Sequence, residues 1–333
     1  MLIKGITQLN GIINDQERHE LIDLVRATRL FDESGQVHYG KSSGTQLDSP
    51  IYDTLTEKVK LITGLSIEKA NAYARIYKND SKLGVHTDRE GLDLTLSIQL
   101  KNDFKSTPIY AKGYDGTVYK SELNDGDGVL LKGRELEHWR NPIYGNESDE
   151  LICIFFHWKI VGLEYIEIEN FLTDEECDEV INAPINLSTG MVLSGGKAVV
   201  LDKVRDAKVG WYGSENIDNK IKDLIGNLKL EGLQVLKYDK GNKFTPHYDE
   251  RYNGFERLFT TIIYLNDDYK GGETNFTNIG LKITPQKCKL IIWKNIIKDK
   301  DGKWITNPLS MHESLPVKNG TKYSLVNWGL IPM

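Results

Sequence analysis

Seven histidines occur in the 333-residue chain, and two of them, His86 and His247, are followed two positions on by an aspartate, Asp88 and Asp249. Residues i and i+2 of a β-strand share one face, so an extended His-x-Asp aims an imidazole and a carboxylate at a common point. Each pair is trailed by a further histidine: His138 stands 50 residues after Asp88, and His312 stands 63 after Asp249. Two neutral imidazoles and one carboxylate cover one face of an octahedral metal and leave three positions open, the facial triad suited to non-haem Fe(II). Zinc more often takes a closed tetrahedral set, or a triad at other spacing. The spacing therefore predicts two metal sites, His86–Asp88–His138 and His247–Asp249–His312. His19 and His38 lack such partners and read as solvated residues, while His157, inside the apolar run Leu151–Phe156 and its continuation, reads as structural.

The two histidine sets sit inside a longer internal repeat. Asn14-Asp-Gln-Glu17 leads into the apolar-periodic segment His19–Val25, and Thr173-Asp-Glu-Glu176 leads into Cys177–Ile181. Both carry the signature of a capped helix start, a capping residue with glutamate three positions later. Tyr77 precedes His86 by nine residues, as Tyr238 precedes His247, and each half closes on a strand-like segment ending in tryptophan, Trp158 and Trp328. The offset between matched features drifts from 159 residues at the helix starts to 174 at His138 and His312 and 170 at the tryptophans, as loop insertions would produce. The reading is a tandem duplication with domains at 1–160 and 161–333.

In each half helical signals come first and short β-branched, aromatic segments follow, such as Leu258–Tyr264, Lys289–Trp293 and Tyr323–Trp328, punctuated by Gly-Gly, Asn-Asp and Asn-Gly turns. The early helices include Asp218–Ile225 and the segment ending Ser66–Ala70. Roughly eight strands per half without regularly alternating helices predict an α+β chain. Its architecture is two tandem double-stranded β-helix (jelly-roll) domains, each with N-terminal helices packed on the β core. The composition is that of a globular chain, and the net charge of −6 argues against a general nucleic-acid binder. Three widely spaced cysteines exclude a paired-thiolate zinc site, make a disulfide framework an unexpected feature and point to a reducing, cytoplasmic setting. The N-terminus reads without a signal peptide, and no apolar stretch reaches membrane-spanning length.

From about Tyr165 to Trp328 the chain resembles the catalytic domain of prolyl 4-hydroxylase-like 2-oxoglutarate/Fe(II) dioxygenases. The features that carry the likeness begin with Phe171-Leu-Thr-Asp-Glu-Glu-Cys177, Tyr238 with Gly241, His247-Tyr-Asp249 and Tyr264-Leu-Asn266. They continue through Gly271-Gly-Glu-Thr-Asn-Phe276, Pro285-Gln-Lys287 and His312-Glu-Ser-Leu-Pro-Val317 to Gly320-Thr-Lys322. Two departures stand out: Cys288 replaces a common glycine, and Glu313-Ser314 replaces small residues at the substrate mouth. Gly271-Gly-Glu-Thr274 reads as a turn without chemistry of its own.

The resemblance implies Fe(II) as cofactor, 2-oxoglutarate and O2 as cosubstrates, and ascorbate to keep the iron ferrous. The reaction it implies is hydroxylation of an unactivated C–H bond, by default of peptidyl proline, with release of succinate and CO2. It assigns the far carboxylate of 2-oxoglutarate to the Lys322 ammonium and the Tyr238 hydroxyl, consistent with the need of a buried dianion for a cation. The first half keeps the triad and has Tyr77 at the place of Tyr238, but it lacks Gly-Gly-Glu-Thr. Ser148 stands ten residues after its distal histidine, and the strand position matching Lys322 falls near Ile152. Arg140, which shares a strand face with His138, is the candidate substitute anchor. The alternative keeps catalysis in the second half and makes the first a substrate-binding or structural module. The substrate is a peptide or a small molecule, membranes and nucleic acids are not expected partners, and the oligomeric state is not legible.

Overall fold

The structure is a computed structural model and describes residues 4–28, 31–32, 38–39, 42–189, 192–194, 197–199, 205–249 and 254–332; the side chain of His38 lies outside what is described. The chain divides into two compact units, Met1–Val161 with Lys300–Gly302, and Gly162–Asp299 with Lys303–Met333. Each is mostly antiparallel β-sheet with a few helices.

In the first unit the strand Ile6–Leu9 is followed by the helix Asp15–Ala27, where Asn14 and Glu17 close the expected capping box. A second helix, Tyr52–Thr63, ends at Gly64 in the left-handed conformation. The residues after it, Ser66–Ala70, do not extend that helix as expected: Ile67–Tyr77 is an eleven-residue strand. Gly64 stops the helix, and alternation from Ala72 to Tyr77 fits a strand at the centre of a sheet better than a helical face.

That strand lies in a large sheet in the order Ile6–Leu9, Gly128–Leu131, Leu94–Asn102, Leu151–Ile160, Ile67–Tyr77, Ser42–Leu47, Phe31–Asp32. A smaller sheet carries Lys82–His86, His138–Arg140 and Ile109–Lys112 side by side. The central strands are buried on both faces, and their alternation sorts the residues. Leu94, Leu96, Ile98, Ile152, Ile154, Phe156 and Trp158 form one cluster with Leu21, Val25, Leu55 and Val59 of the helices. Thr95, Ser97, Gln99, Cys153 and His157, the intervening residues, are buried on the opposite face.

The second unit repeats these devices. Thr173 and Glu176 cap the helix Asp174–Asn182, and the helix Glu215–Ile225 buries Ile217, Ile221 and Ile225. Its large sheet includes Leu290–Lys294, Phe255–Tyr264, Lys322–Pro332 and Leu233–Tyr238, and its smaller sheet runs Phe244–His247, His312–Ser314, Thr274–Phe276, Leu281–Ile283. Among the described residues no helix is long and apolar enough to cross a membrane.

Candidate metal centres

In the second unit His247 closes the strand Phe244–His247 and His312 opens the strand His312–Ser314, and the antiparallel register sets the two opposite each other. Asp249 is not on the strand with His247 as the i, i+2 reading expected; it lies two residues past the strand end. Its position is fixed by other means. The Thr260 hydroxyl and the Trp328 indole N–H both donate to Asp249 Oδ2, at 2.6 and 2.9 Å. Asp249 Oδ1 then lies 3.8 Å from His247 Nε2, and Oδ2 lies 3.8 Å from His312 Nε2.

Both imidazoles are oriented from behind. His247 Nδ1 lies 2.8 Å from the Thr245 carbonyl and His312 Nδ1 lies 2.9 Å from the Ser310 carbonyl. A carbonyl can only accept, so Nδ1 carries the proton in each ring and Nε2 presents its lone pair toward the aspartate. Burial, followed by the neighbouring His312, pushes the His247 pKa down to about 3, which keeps the imidazole neutral. Burial alone would raise Asp249, but the imidazoles, the Arg257 guanidinium and the Thr260 hydroxyl hold its carboxyl well below the usual range. Two neutral nitrogens and one anionic oxygen, within 4.8 Å of one another, fit the donor set and size of a six-coordinate ferrous ion with open positions.

Lys322 is 2% exposed and donates to the Gly272 carbonyl at 2.7 Å and to the Ser314 hydroxyl at 3.0 Å. Its ammonium is 5.1 Å from the ring of Tyr238 and 5.5 Å from that of Tyr264. Burial pulls its pKa down to about 7. Two readings change here. Gly-Gly-Glu-Thr is more than a turn, since Gly272 supplies a carbonyl to Lys322, and a Cβ added there would come within 3.1 Å of the Lys322 side chain. Ser314 points inward to Lys322 while its neighbour Glu313 pairs with Asn275 at 2.7 Å. Thr260 and Trp328, which brace the aspartate, were not singled out for this role; a strand threonine opposite a tryptophan carries no local motif.

The first unit brings together His86, Asp88 and His138 in the same manner. His86 closes one strand, His138 opens its neighbour, and the register pairs them. Asp88 again lies beyond the strand end, where its N–H donates to the Gly133 carbonyl at 2.8 Å and its Oδ2 accepts from Thr95 at 2.5 Å. The approach requires glycine, because a Cβ at Gly133 would sit 1.8 Å from Asp88 Oδ2. Both histidine Nε2 atoms are 3.7 Å from Asp88 Oδ1, and both Nδ1 atoms face carbonyls, Gly84 at 2.9 Å and Leu136 at 3.0 Å. Burial, then the neighbouring His138, lowers the His86 pKa.

Arg140 is 2% exposed. Its Nε donates to the Thr107 carbonyl at 3.1 Å, its Nη1 lies 3.7 Å from Cys153 Sγ, and its Nη2 has no hydrogen-bond partner among the described residues. The guanidinium carbon is 5.2 Å from the ring of Tyr77, nearly the separation of Lys322 from Tyr238. Burial raises the Tyr77 pKa to about 12 against the opposing charge of Arg140.

The registers correct two sequence matches. Leu151 pairs with Tyr77 as Lys322 pairs with Tyr238, so Leu151, not Ile152, holds the place of the lysine. His157 pairs with Thr95 as Trp328 pairs with Thr260, so His157, not Trp158, stands where Trp328 does. Trp158 faces the helices instead and donates to Thr56 at 2.8 Å. A buried cation beside Tyr77 went unremarked in the sequence: Arg75, two residues earlier on the same strand face, is 1% exposed and donates to the Ser42 hydroxyl at 2.9 Å.

Comparison with known proteins agrees with the site. Residues 233–329 match the family model of the 2OG-Fe(II) oxygenase superfamily. Probable prolyl 4-hydroxylase 6 of Arabidopsis thaliana is 28% identical over 198 residues, covering 48% of this chain and 66% of that protein. Prolyl 4-hydroxylase 5 of the same plant is 30% identical over 201 residues, covering 48% and 65%. The chain thus spans slightly less than two thirds of the length of these relatives. Among solved structures, the viral collagen prolyl hydroxylase of Paramecium Bursaria Chlorella virus-1, in its 2OG complex, is 27% identical with a TM-score of 0.39, covering 50% of this chain and 96% of that one. The C-terminal half of the chain therefore carries a prolyl 4-hydroxylase-like 2OG-Fe(II) oxygenase domain. Fe(II), 2-oxoglutarate and O2 are the cofactor and cosubstrates of that superfamily, and the His247–Asp249–His312 set has the donors for the iron.

Proposed function

We propose that the protein is an Fe(II)- and 2-oxoglutarate-dependent hydroxylase acting on an unactivated C–H bond, with peptidyl proline as the substrate class. The observation that carries this reading is the conjunction in the second unit of an open two-histidine, one-carboxylate set with a buried ammonium whose hydrogen-bond partners are neutral. In this assignment His247, Asp249 and His312 hold the iron, and Lys322 with Tyr238 holds the far carboxylate of 2-oxoglutarate. Bound iron with 2-oxoglutarate and O2 supplies the oxidant that hydroxylates the substrate, and ascorbate maintains the ferrous state. The chain's own contribution is orientation: carbonyls fix the imidazole tautomers, Thr260 and Trp328 fix the carboxylate, and Tyr238 and Tyr264 wall the ammonium. Relatives that are prolyl 4-hydroxylases support a proline-bearing peptide as substrate. The three cysteines, all free thiols, support a reducing, cytoplasmic setting.

For the first unit we propose a second iron site at His86, Asp88 and His138, with Arg140 and Tyr77 as the anchor for 2-oxoglutarate, on domains of 1–160 and 161–333 that arose by tandem duplication. The unpartnered Nη2 of buried Arg140 favours this over an iron site without cosubstrate. The competing reading, chemistry in the second unit alone, draws on the first unit's lack of a lysine at the place of Lys322. One titration separates them. Anaerobic Fe(II) with 2-oxoglutarate gives a weak visible charge-transfer band only where both chelate one iron. Two equivalents per chain are expected; one would confine cosubstrate binding to one unit, and none would remove the oxygenase reading. Succinate release against proline-containing peptides, free amino acids and nucleotides then tests the substrate class.

A further inference from the structure

Cys177 and Cys288 lie 111 residues apart in the chain, yet their sulfurs are 3.3 Å apart in the interior of the second unit, and neither is among the residues assigned to iron or cosubstrate. Cys177 is on the buried face of the helix Asp174–Asn182, and Cys288 sits in the turn that enters the strand Leu290–Lys294. The turn is firmly tied: Cys288 N–H donates to the Tyr264 carbonyl at 2.9 Å, and the Cys288 carbonyl accepts from Phe171 at 2.8 Å. Cys288 also holds φ +67°, a conformation glycine adopts freely and other residues resist. A thiol is thus kept at a glycine position, and it is aimed at a second thiol. We propose that Cys177 and Cys288 form a reversible disulfide, an oxidative modification site that staples this helix to the central sheet of the second unit. A bond of roughly 2.05 Å requires the two sulfurs to approach by a little over 1 Å from their 3.3 Å separation. With hydrogen peroxide as oxidant, one thiol is converted to a sulfenic acid with release of water. The other thiol displaces its hydroxyl group as a second water, so two S–H bonds break, one S–S bond forms and the peroxide is reduced to two waters. Burial raises the pKa of both thiols, so the conversion is slow and the product, once formed, is protected. Cys153, buried in the first unit with Arg140 at 3.7 Å, serves as the internal control.

The test uses the full chain, freed of iron so that peroxide meets no ferrous ion. After treatment with peroxide or with dithiothreitol, the chain is denatured, alkylated, counted for free thiols and mapped by mass spectrometry. Three thiols are expected after dithiothreitol, and one after peroxide, with a peptide linking Cys177 to Cys288. The oxidised chain should unfold roughly 5–10 °C above the reduced one, the scale expected for a cross-link closing a long loop. Cys288→Gly, which relieves the backbone, should retain its remaining thiols under peroxide and show no redox-dependent melting, and Cys177→Ser should behave alike. Three thiols surviving peroxide, sulfinic acid at either position without a cross-link, a bridge to Cys153, or a cross-link that leaves the melting temperature unchanged would each overturn the proposal.

Discussion

In the second unit a lysine ammonium stands 5.1 Å from a buried tyrosine ring; in the first, an arginine guanidinium stands 5.2 Å from another. The histidine–aspartate separations are alike, 3.8 Å in the second unit and 3.7 Å in the first, although the second set reaches both oxygens of Asp249 and the first only Oδ1 of Asp88. The cations arrive from different strands. Lys322 comes from the long central strand opposite Tyr238, and Arg140 comes from the small sheet, two residues after the distal histidine. On the proposed reading, a metal set built from adjacent strand ends would constrain its ligands tightly, whereas a carboxylate anchor would need only a buried cation. The comparison thus separates what the fold demands from what it leaves free.

The sharpest break of the comparison removes the ligands. With the first unit's set disabled by His86→Ala and Asp88→Ala, His247→Ala or Asp249→Ala should abolish succinate production while leaving the circular dichroism of the fold in place. Residual turnover at the level of the parent would dismiss the second set as the iron site. The reciprocal variants measure whether the first set turns over at all.

The anchors come next in size. Removing the ammonium of Lys322 strands one carboxylate of a bound dianion, a loss of about 2–4 kcal/mol, or on the order of 30- to 1,000-fold in affinity. Lys322→Ala should raise the 2-oxoglutarate requirement by that factor with iron binding intact. Arg140→Ala should remove the charge-transfer equivalent of the first unit and spare that of the second. If Arg140→Ala leaves both equivalents, Arg75 becomes the anchor to examine, as the other buried cation beside Tyr77.

The helix caps and the strand-rich cores were legible because each rests on local spacing, Asn-x-x-Glu or Thr-x-x-Glu and alternating β-branched residues, while His-x-Asp marked two clusters whose aspartates lie past the strand ends rather than on the strands. The misplaced strand matches depend on register. Nothing local distinguishes His157 from Trp158 as the counterpart of Trp328; only strand pairing and the bulge between them decide which side chain faces inward. Ser66–Ala70 read as helix because propensity is a weak prior beside the demand of a central sheet position. Gly272 escaped notice as a chemical group because its contribution is a backbone carbonyl, which no side-chain motif reports.

A smaller effect probes how the carboxylates are braced. Trp328 donates to Asp249, whereas His157, at the equivalent register, has its Nδ1 3.3 Å from the Asn71 carbonyl. Loss of such an orienting bond costs about 10- to 100-fold in metal affinity. Trp328→Phe should therefore weaken Fe(II) binding in the second unit by about tenfold, and His157→Phe should leave the first within about threefold, read by competition with a chromogenic chelator. Equal losses in the two units would show that the bracing is the same in both.

The last difference is one of protonation. Lys322 has its pKa drawn down to about 7 by burial, while a guanidinium stays charged across the accessible range. Below pH 7 the ammonium is present before 2-oxoglutarate arrives; above it, binding of the dianion is coupled to uptake of a proton from solvent by the amine. The apparent affinity of the second unit should weaken by up to about tenfold per pH unit above 7, and that of the first should stay flat. Because the folded pKa lies below the unfolded value of 10.5, the folded ligand-free unit binds fewer protons than the unfolded chain. Stability should accordingly rise with pH between about 7 and 10, and Lys322→Met should remove that slope. Calorimetry of 2-oxoglutarate binding at pH 8, in two buffers of different ionisation enthalpy and with the first set disabled, should report uptake of nearly one proton. No uptake would mean that Lys322 is already charged in its pocket, and the contrast between the two anchors would then be one of geometry alone.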